Sequence, residues 1–219
     1  MITVSDDPVV VDSALRAGEV VCPGCSAPMA PWGSARPRPV RHGLDAAEGI
    51  RVVVHRPRRA RCSGCGVTHV LLGVQLALRR ADAAEVIAAA VELKVAAGWG
   101  HRRIGAWLGR PATTVRGWLR AFASSASAIG AWFTGLVVSS APDPVGVWPA
   151  IAGDGGGAAL SWLEAYAAGL GARFGVVGTV AWVRAGIAAT GGRLFSPGFW
   201  TSPVQHQPAL SGAVAGPRG

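Results

Sequence analysis

The chain has 219 residues, half of them hydrophobic, with 21 Lys+Arg against 12 Asp+Glu and a formal net charge of +9. That length holds one or two compact domains, and no stretch of about twenty apolar residues offers a good membrane span. Residues 1–125 carry seventeen Lys+Arg against nine Asp+Glu and residues 126–219 four against three, so a polyanion partner is expected for the first half.

Along the chain, Val9–Ala17 has a weakly amphipathic helical pattern that Gly18 would stop, and Glu19-Val20-Val21 leads as a strand into Cys22-Pro-Gly-Cys25. Pro28, Pro31, Pro37 and Pro39 forbid a helix up to about residue 40. His42–Gly49 reads as a loop, and Ile50–His55 has the β-branched density of a strand. A basic run, Arg56-Pro57-Arg58-Arg59-Ala60-Arg61, then meets Cys62-Ser-Gly-Cys65, and Thr68–Leu72 suits a return strand.

The two C-x-x-C pairs are the only cysteines. Each pair can present two thiolates on one tight turn, and two such turns complete a tetrahedral set for zinc. Gly66 after the second pair favours a knuckle whose backbone N–H groups point at sulfur, and Ser26 holds the equivalent place after the first. A disulfide pairing suits a secreted chain, but an acidic start, Asp6-Asp7, precedes Cys22 where a basic signal region would stand. A redox C-x-x-C leaves the second pair unexplained, and the spacing departs from the usual iron–sulfur runs. Structural Zn²⁺ held by Cys22, Cys25, Cys62 and Cys65 is the favoured reading, within a ribbon of about three antiparallel strands. His69 would make a strand hydrogen bond near the metal, and His55 and His101 read as surface or phosphate-facing groups.

Helices follow. Asp82 with Glu85 resembles a capping box, and Val86, Ile87, Ala90, Val91 and Leu93 supply an apolar face up to Gly98. A helix from about His101 to Leu108 and another from about Pro111 to Phe122 flank Gly109, which allows a left-handed turn. This is the sequence form of a helix-turn-helix. Ile104 and Leu108 would pack on Val115, Trp118 or Leu119, and Phe122, with Gly105 permitting close approach. The opposite face of the second helix carries Thr113, Arg116 and Arg120. In a major groove Thr113 and Arg116 would lie nearest the bases, and Arg116 matches the forked acceptors of guanine. Arg102, Arg103, Arg110 and Thr114 are placed for phosphates, and Arg58, Arg59 and Arg61 lie on the ribbon edge beside the metal. A helical bundle with a solvated basic face is the alternative. Twenty of the 21 basic residues are Arg and there is no Asn, the bias of a high-GC genome, so the preference for Arg is no evidence of base reading.

Three stretches carry a resemblance: VVCPGCSAPMAPWG, HRPRRARCSGCGVTHVLL and GHRRIGAWLGRPATTVRGWLRAF. Residues 18–122 resemble an uncharacterised bacterial family that joins a zinc ribbon to a helix-turn-helix, and are similar to N-terminal DNA-binding segments of insertion-sequence transposases. The resemblance covers about half the chain and implies zinc at the four cysteines and DNA contact by the helix after Gly109. It implies no established reaction. Pro111 stands where related motifs often have a Ser cap.

In the second half, Ala126–Val138, Ala158–Leu170 and Val176–Ala189 read as helices, and residues from Phe199 onward as a loose tail. Trp132, Trp162 and Trp182 suit core or subunit-interface anchors. Asp143, Asp154 and Glu164 are the only acids there and lie on loops and one helix, a poor basis for a two-metal nuclease site.

The expected fold is α+β: a zinc ribbon over 1–78, a helix-turn-helix domain over 79–124, a helical region over 125–198 and a tail over 199–219. The expected function is non-enzymatic binding of double-stranded DNA in the cytoplasm, on the nucleoid, as a regulator or mobile-element accessory factor. No membrane is involved in this reading, and the C-terminal helices are left to pair two subunits or dock a partner. A transposase-like protein with a degenerate or separately supplied catalytic part, and a protein-binding zinc module, are the alternatives.

Overall fold

The computed structural model describes residues 1–47, 49–150 and 155–201. Its order is β1 (Ile2–Val4), α1 (Pro8–Arg16), β2 (Met29–Ser34), β3 (Arg38–His42), β4 (Arg51–His55), β5 (Arg58–Cys62), β6 (Thr68–Gly73), then α2 (Ala84–Ala97), α3 (His101–Leu108), α4 (Ala112–Ser140), α5 (Gly156–Phe174), α6 (Trp182–Ala189) and α7 (Pro197–Trp200). A β region followed by helices is the α+β arrangement expected.

β2, β5 and β6 are antiparallel neighbours, and β1 adds to β6 in parallel, giving the order β1-β6-β5-β2. The prolines that bar a helix before residue 40 do not bar strands. Pro31 lies where the β2–β5 register shifts, and Pro39 lies on β3, whose one strand partner is β4, so neither interrupts a central ladder. The Glu19–Val21 segment expected as a strand forms only an isolated bridge, Val21 to Pro28. The long gap between the two cysteine pairs folds as the separate β3–β4 hairpin, in register from Arg38↔His55 to His42↔Arg51.

Two apolar cores result. One, under α1, contains Val11, Leu15, Met29, Ala60 and Leu71 together with Cys22 and Cys62. The other joins Val40 and Leu72 to α2, α3, α4, α5 and α6. Successive residues on a strand face opposite ways, so Leu71 enters the ribbon core and Leu72 the helical core. β6 is thus the wall shared by both.

The hairpin is fastened to the helices by an ion cluster centred on a buried carboxylate, with Arg110 buried and Arg41 partly exposed. Asp82, 2 % exposed, accepts from Arg41 Nε at 3.0 Å and Nη2 at 2.7 Å, and from Arg110 Nε at 2.6 Å. Arg110 spends its other nitrogens on the carbonyls of Leu108 and His42, at 2.8 and 3.2 Å. Asp82 therefore does not cap α2. Ala83 occupies the cap position without a side-chain bond, and Glu85 turns to Arg184 at 3.0 Å.

α4 is the largest departure from expectation. The helices expected over 111–122 and 126–138 are one helix of 29 residues that runs through the boundary placed at residue 124. The serines between the two expected helices are accommodated: Ser124 Oγ donates to the Ala121 carbonyl at 3.0 Å, and Ser125 is buried. By length and composition α4 passes as a membrane span, but Phe122, Ala126, Ile129, Phe133 and Val137 form a buried stripe within the helical core. α6 begins at Trp182, later than expected, because Gly178 at φ +102° belongs to a turn. Trp162 and Trp182 are buried, and Trp132 packs edge-on against Phe133 and Trp200. Trp200 donates to the Leu194 carbonyl at 3.0 Å, so the tail expected from residue 199 is packed at its start. Its remainder lies outside the described residues.

Removing the buried carboxylate from such a cluster leaves uncompensated charge. Asp82→Ala is expected to destabilise the fold by about 3–5 kcal/mol in urea unfolding. A loss under 1 kcal/mol would show that the two arginines find other partners.

Candidate metal centre and basic surface

The two knuckles are built alike. Ser26 N donates to the Cys22 carbonyl at 2.8 Å and Gly66 N to the Cys62 carbonyl at 3.2 Å, while Cys22 N and Cys62 N each donate at 2.9 Å to the carbonyls of Ala27 and Val67. Ser26 at φ +60° and Gly66 at φ +73° hold the same left-handed place, so the serine adopts the backbone that glycine takes in its counterpart. Ser63 N and Oγ both donate to the Pro28 carbonyl, at 3.1 and 2.9 Å, which locks one knuckle against the other. Gly64 is obligatory for this closeness, since a Cβ there would stand 2.8 Å from Ala27 Cβ.

All four sulfur atoms lie within 4.8 Å of one another. Cys22 Sγ is 3.7 Å from Cys65 Sγ and Cys25 Sγ is 3.3 Å from Cys62 Sγ. Thiolates around a tetrahedral zinc at ~2.3 Å stand about 3.8 Å apart, so the donor set fits that ion. The Cys65 backbone N–H donates to Cys62 Sγ at 3.4 Å and holds that thiol down at about 6, while Cys65, despite the lowering effect of the Val67 N–H, is pushed up to about 11 by its bonds to the other sulfurs. His69 Nε2 lies 3.8 Å from Cys22 Sγ, as an outer hydrogen-bond partner and not a fifth ligand. Among the described residues these cysteines are the one group of three or more His, Cys, Asp or Glu whose ligand atoms converge. Asp143 is engaged in its own turn, accepting from Val145 N at 3.0 Å, and Asp154 lies outside the described residues.

After α2 the chain forms two helices about a glycine turn, the first over His101–Leu108 as expected and the second running on past Phe122 to Ser140. Gly109, at φ +61°, turns the chain between α3 and α4, and Ile104, Leu108, Val115, Trp118 and Phe122 are buried together. A Cβ on Gly105 would lie 2.8 Å from the Arg110 carbonyl oxygen, so the turn requires glycine there. Pro111 takes the cap position itself, with no side-chain cap, and its carbonyl accepts from Thr114 and Val115 N at 2.9 and 3.2 Å.

The arginines divide by environment. Thr113, Arg116 and Arg120 are exposed on α4 with Thr114 half-buried beside them, and Arg102 and Arg103 are exposed on α3. Arg103 stacks over Trp99 at 3.8 Å, and Trp99 meets the half-exposed Trp107 edge-on. On β5, Arg59 and Arg61 point away from the face that buries Ala60, and Arg61 lies 4.9 Å over Trp32. Arg58 is paired with Asp12 at 2.7 Å. Arg110 corrects the sequence reading. It is 4 % exposed and committed to Asp82, so it serves the interior and offers nothing to a phosphate. His55 is likewise turned inward, its Nε2 3.1 Å from His42 Nε2. β5 packs between β2 and β6, whereas α3 abuts the β3–β4 loop, where Ala46 N donates to the Trp107 carbonyl at 2.7 Å. The basic residues thus occupy two surfaces, the ribbon edge and the helix pair.

The chain matches no protein-family model, no curated protein and no solved structure.

One zinc per chain is expected by metal analysis, and Cys62→Ser should abolish stoichiometric binding. Chelation should remove the ribbon, whose metal supplies about 10–16 kcal/mol of apparent binding energy in comparable small domains. The separate helical core should keep most of its far-ultraviolet signal at 222 nm. Full retention of sheet and helix without metal would mean that zinc has no structural role.

Proposed function

We propose that the chain is a zinc-stabilised, non-catalytic protein that binds double-stranded DNA through α4, acting as a transcriptional regulator or as an accessory factor of a mobile element. The observation that carries this reading is the α3–Gly109–α4 pair. Its hydrophobic face is consumed by the core, while the start of α4 presents Thr113, Arg116 and Arg120 to solvent. The guanidiniums of Arg102, Arg116 and Arg120 donate no hydrogen bond to any described residue and enter no ion pair among them, which leaves them available to a polyanion.

In this reading Arg116 and Thr113 read base edges in the major groove, Arg102, Arg103, Thr114 and Arg120 hold phosphates, and Arg59 and Arg61 add a backbone contact from the ribbon. Arg58 contributes after release from its exposed pair with Asp12, a contact worth no more than about 1 kcal/mol. The zinc is structural: it fixes β5 and its arginines. The chain's charge is gathered in its first half, which suits a ligand whose affinity arises mainly from counterion release.

Binding to duplex DNA selected from a random pool should weaken steeply with salt, with a log–log slope of several units. Arg116→Ala should cost about 1–3 kcal/mol and relax preference at one base pair, whereas Arg103→Ala should weaken all sequences alike. Equal effects from both would remove the case for base reading by Arg116. Arg110→Ala should lower the melting temperature and leave the salt slope of the folded fraction unchanged, since that side chain never meets the ligand.

A further inference from the structure

Helices α2, α5 and α6 flank a solvent-open cavity of about 930 Å³ that the DNA reading does not use. Its origin is local. The last turns of α5 present Ala168, Gly171 and Ala172, side chains too small to fill the space against α6. Gly175 at φ +60° and Gly178 at φ +102° then carry the chain around the rim before Trp182 starts α6. The lining is apolar except for Glu92 from α2, Glu164 from α5 and Thr179, and it includes no Arg, Lys or His. In a protein of net charge +9, this is a concave surface of the opposite sign.

Both carboxylates are open to solvent, and no described residue neutralises either of them. Glu92 accepts from Trp182 Nε1 at 2.5 Å, and neither Glu92 nor Glu164 enters an ion pair among the described residues. Glu164 is pushed up from the usual carboxylate range by partial burial and by the Glu92 charge, so the two acids feel one another. A site with apolar walls, a tryptophan and a few placed charges is the ordinary form of a small-molecule pocket.

We propose that this cavity binds a small organic cation with an apolar body, its charge set between Glu92 and Glu164 and its hydrocarbon against the Ala/Gly/Val wall and Trp182. A divalent metal fits poorly, because Mg²⁺ and Ca²⁺ require about six to eight oxygens and would meet mostly methyl and methylene groups here. A quaternary or alkylated ammonium is weakly hydrated and gains from both the carboxylates and the aromatic ring. The inference stands independently of DNA binding, and its test reads ligand binding directly.

The probes are phenyltrimethylammonium and its uncharged isostere tert-butylbenzene, titrated into the full zinc-loaded chain by ligand-observed NMR. The cation should bind saturably and at least tenfold tighter than the neutral isostere. Glu164→Gln should weaken the cation about tenfold while leaving the isostere and the melting temperature unchanged. Glu92→Gln, which keeps an acceptor for Trp182, should do the same. Absence of saturable binding, equal affinity for both probes, or indifference to both substitutions would overturn the proposal. So would displacement of the cation by equimolar Mg²⁺, which would make the site a metal-ion site.

Discussion

One buried carboxylate determines how the two halves of this protein meet. Asp82 sits just before α2, between a strand of the β3–β4 hairpin and the turn of the helix pair, and takes a guanidinium from each. Two positive charges on one negative leave an excess, and the interior answers it with the carbonyls of Leu108 and His42. A charge cluster of this kind contributes little net stability over a well-packed apolar substitute, because desolvation offsets most of the attraction. What it provides is geometry. Three hydrogen bonds at 2.6–3.0 Å from two guanidiniums, Arg41 with two and Arg110 with one, admit one docking of hairpin against helices, where a methyl-lined contact would tolerate sliding.

The four-cysteine cluster and this ion cluster lie at opposite ends of the same path. The knuckles clamp β2 to β5, and β5 carries its order to β6 through the antiparallel ladder. β6 in turn gives Leu71 to one core and Leu72 to the other. The chain between the knuckles leaves the ribbon, forms the hairpin, is pinned at Arg41, and returns. A cluster of four cysteine sulfurs and an ion cluster of three residues therefore bracket some sixty residues in which few large apolar side chains are buried, among them Met29, Val40, Leu71 and Leu72.

Much of this was legible because some residues have few uses. Paired C-x-x-C turns with glycine or a tolerant serine after them bring four sulfurs together, and Gly105, Gly109 and Pro111 mark a tight helical corner. Other features were hidden for a physical reason. Asp82 followed by Glu85 has the spelling of a capping box, and only the arrival of Arg41 and Arg110 from distant segments gives the carboxylate a better partner. Arg110 adjoins exposed arginines in sequence, and its burial depends on which way one turn faces. Ser124 and Ser125 stand between the two expected helices, yet in a helix a serine can return its hydroxyl to the preceding turn, and packing on both sides then carries the helix through. Glu92 and Glu164 lie far apart along the chain, so no local pattern announces that they share a cavity.

The uninterrupted course of α4 bears on how this architecture can be divided. At ~1.5 Å per residue its 29 residues form a rod of about 43 Å, beginning at the exposed Thr113 and ending beside α5. Within a rod of that stiffness, a tilt applied at the far end appears at the near end as a displacement of the first turn. The exposed Thr113, Arg116 and Arg120 and the contacts with α5 are then not carried by two modules joined by a linker. They sit on one lever, and its fulcrum is the apolar stripe from Phe122 to Val137.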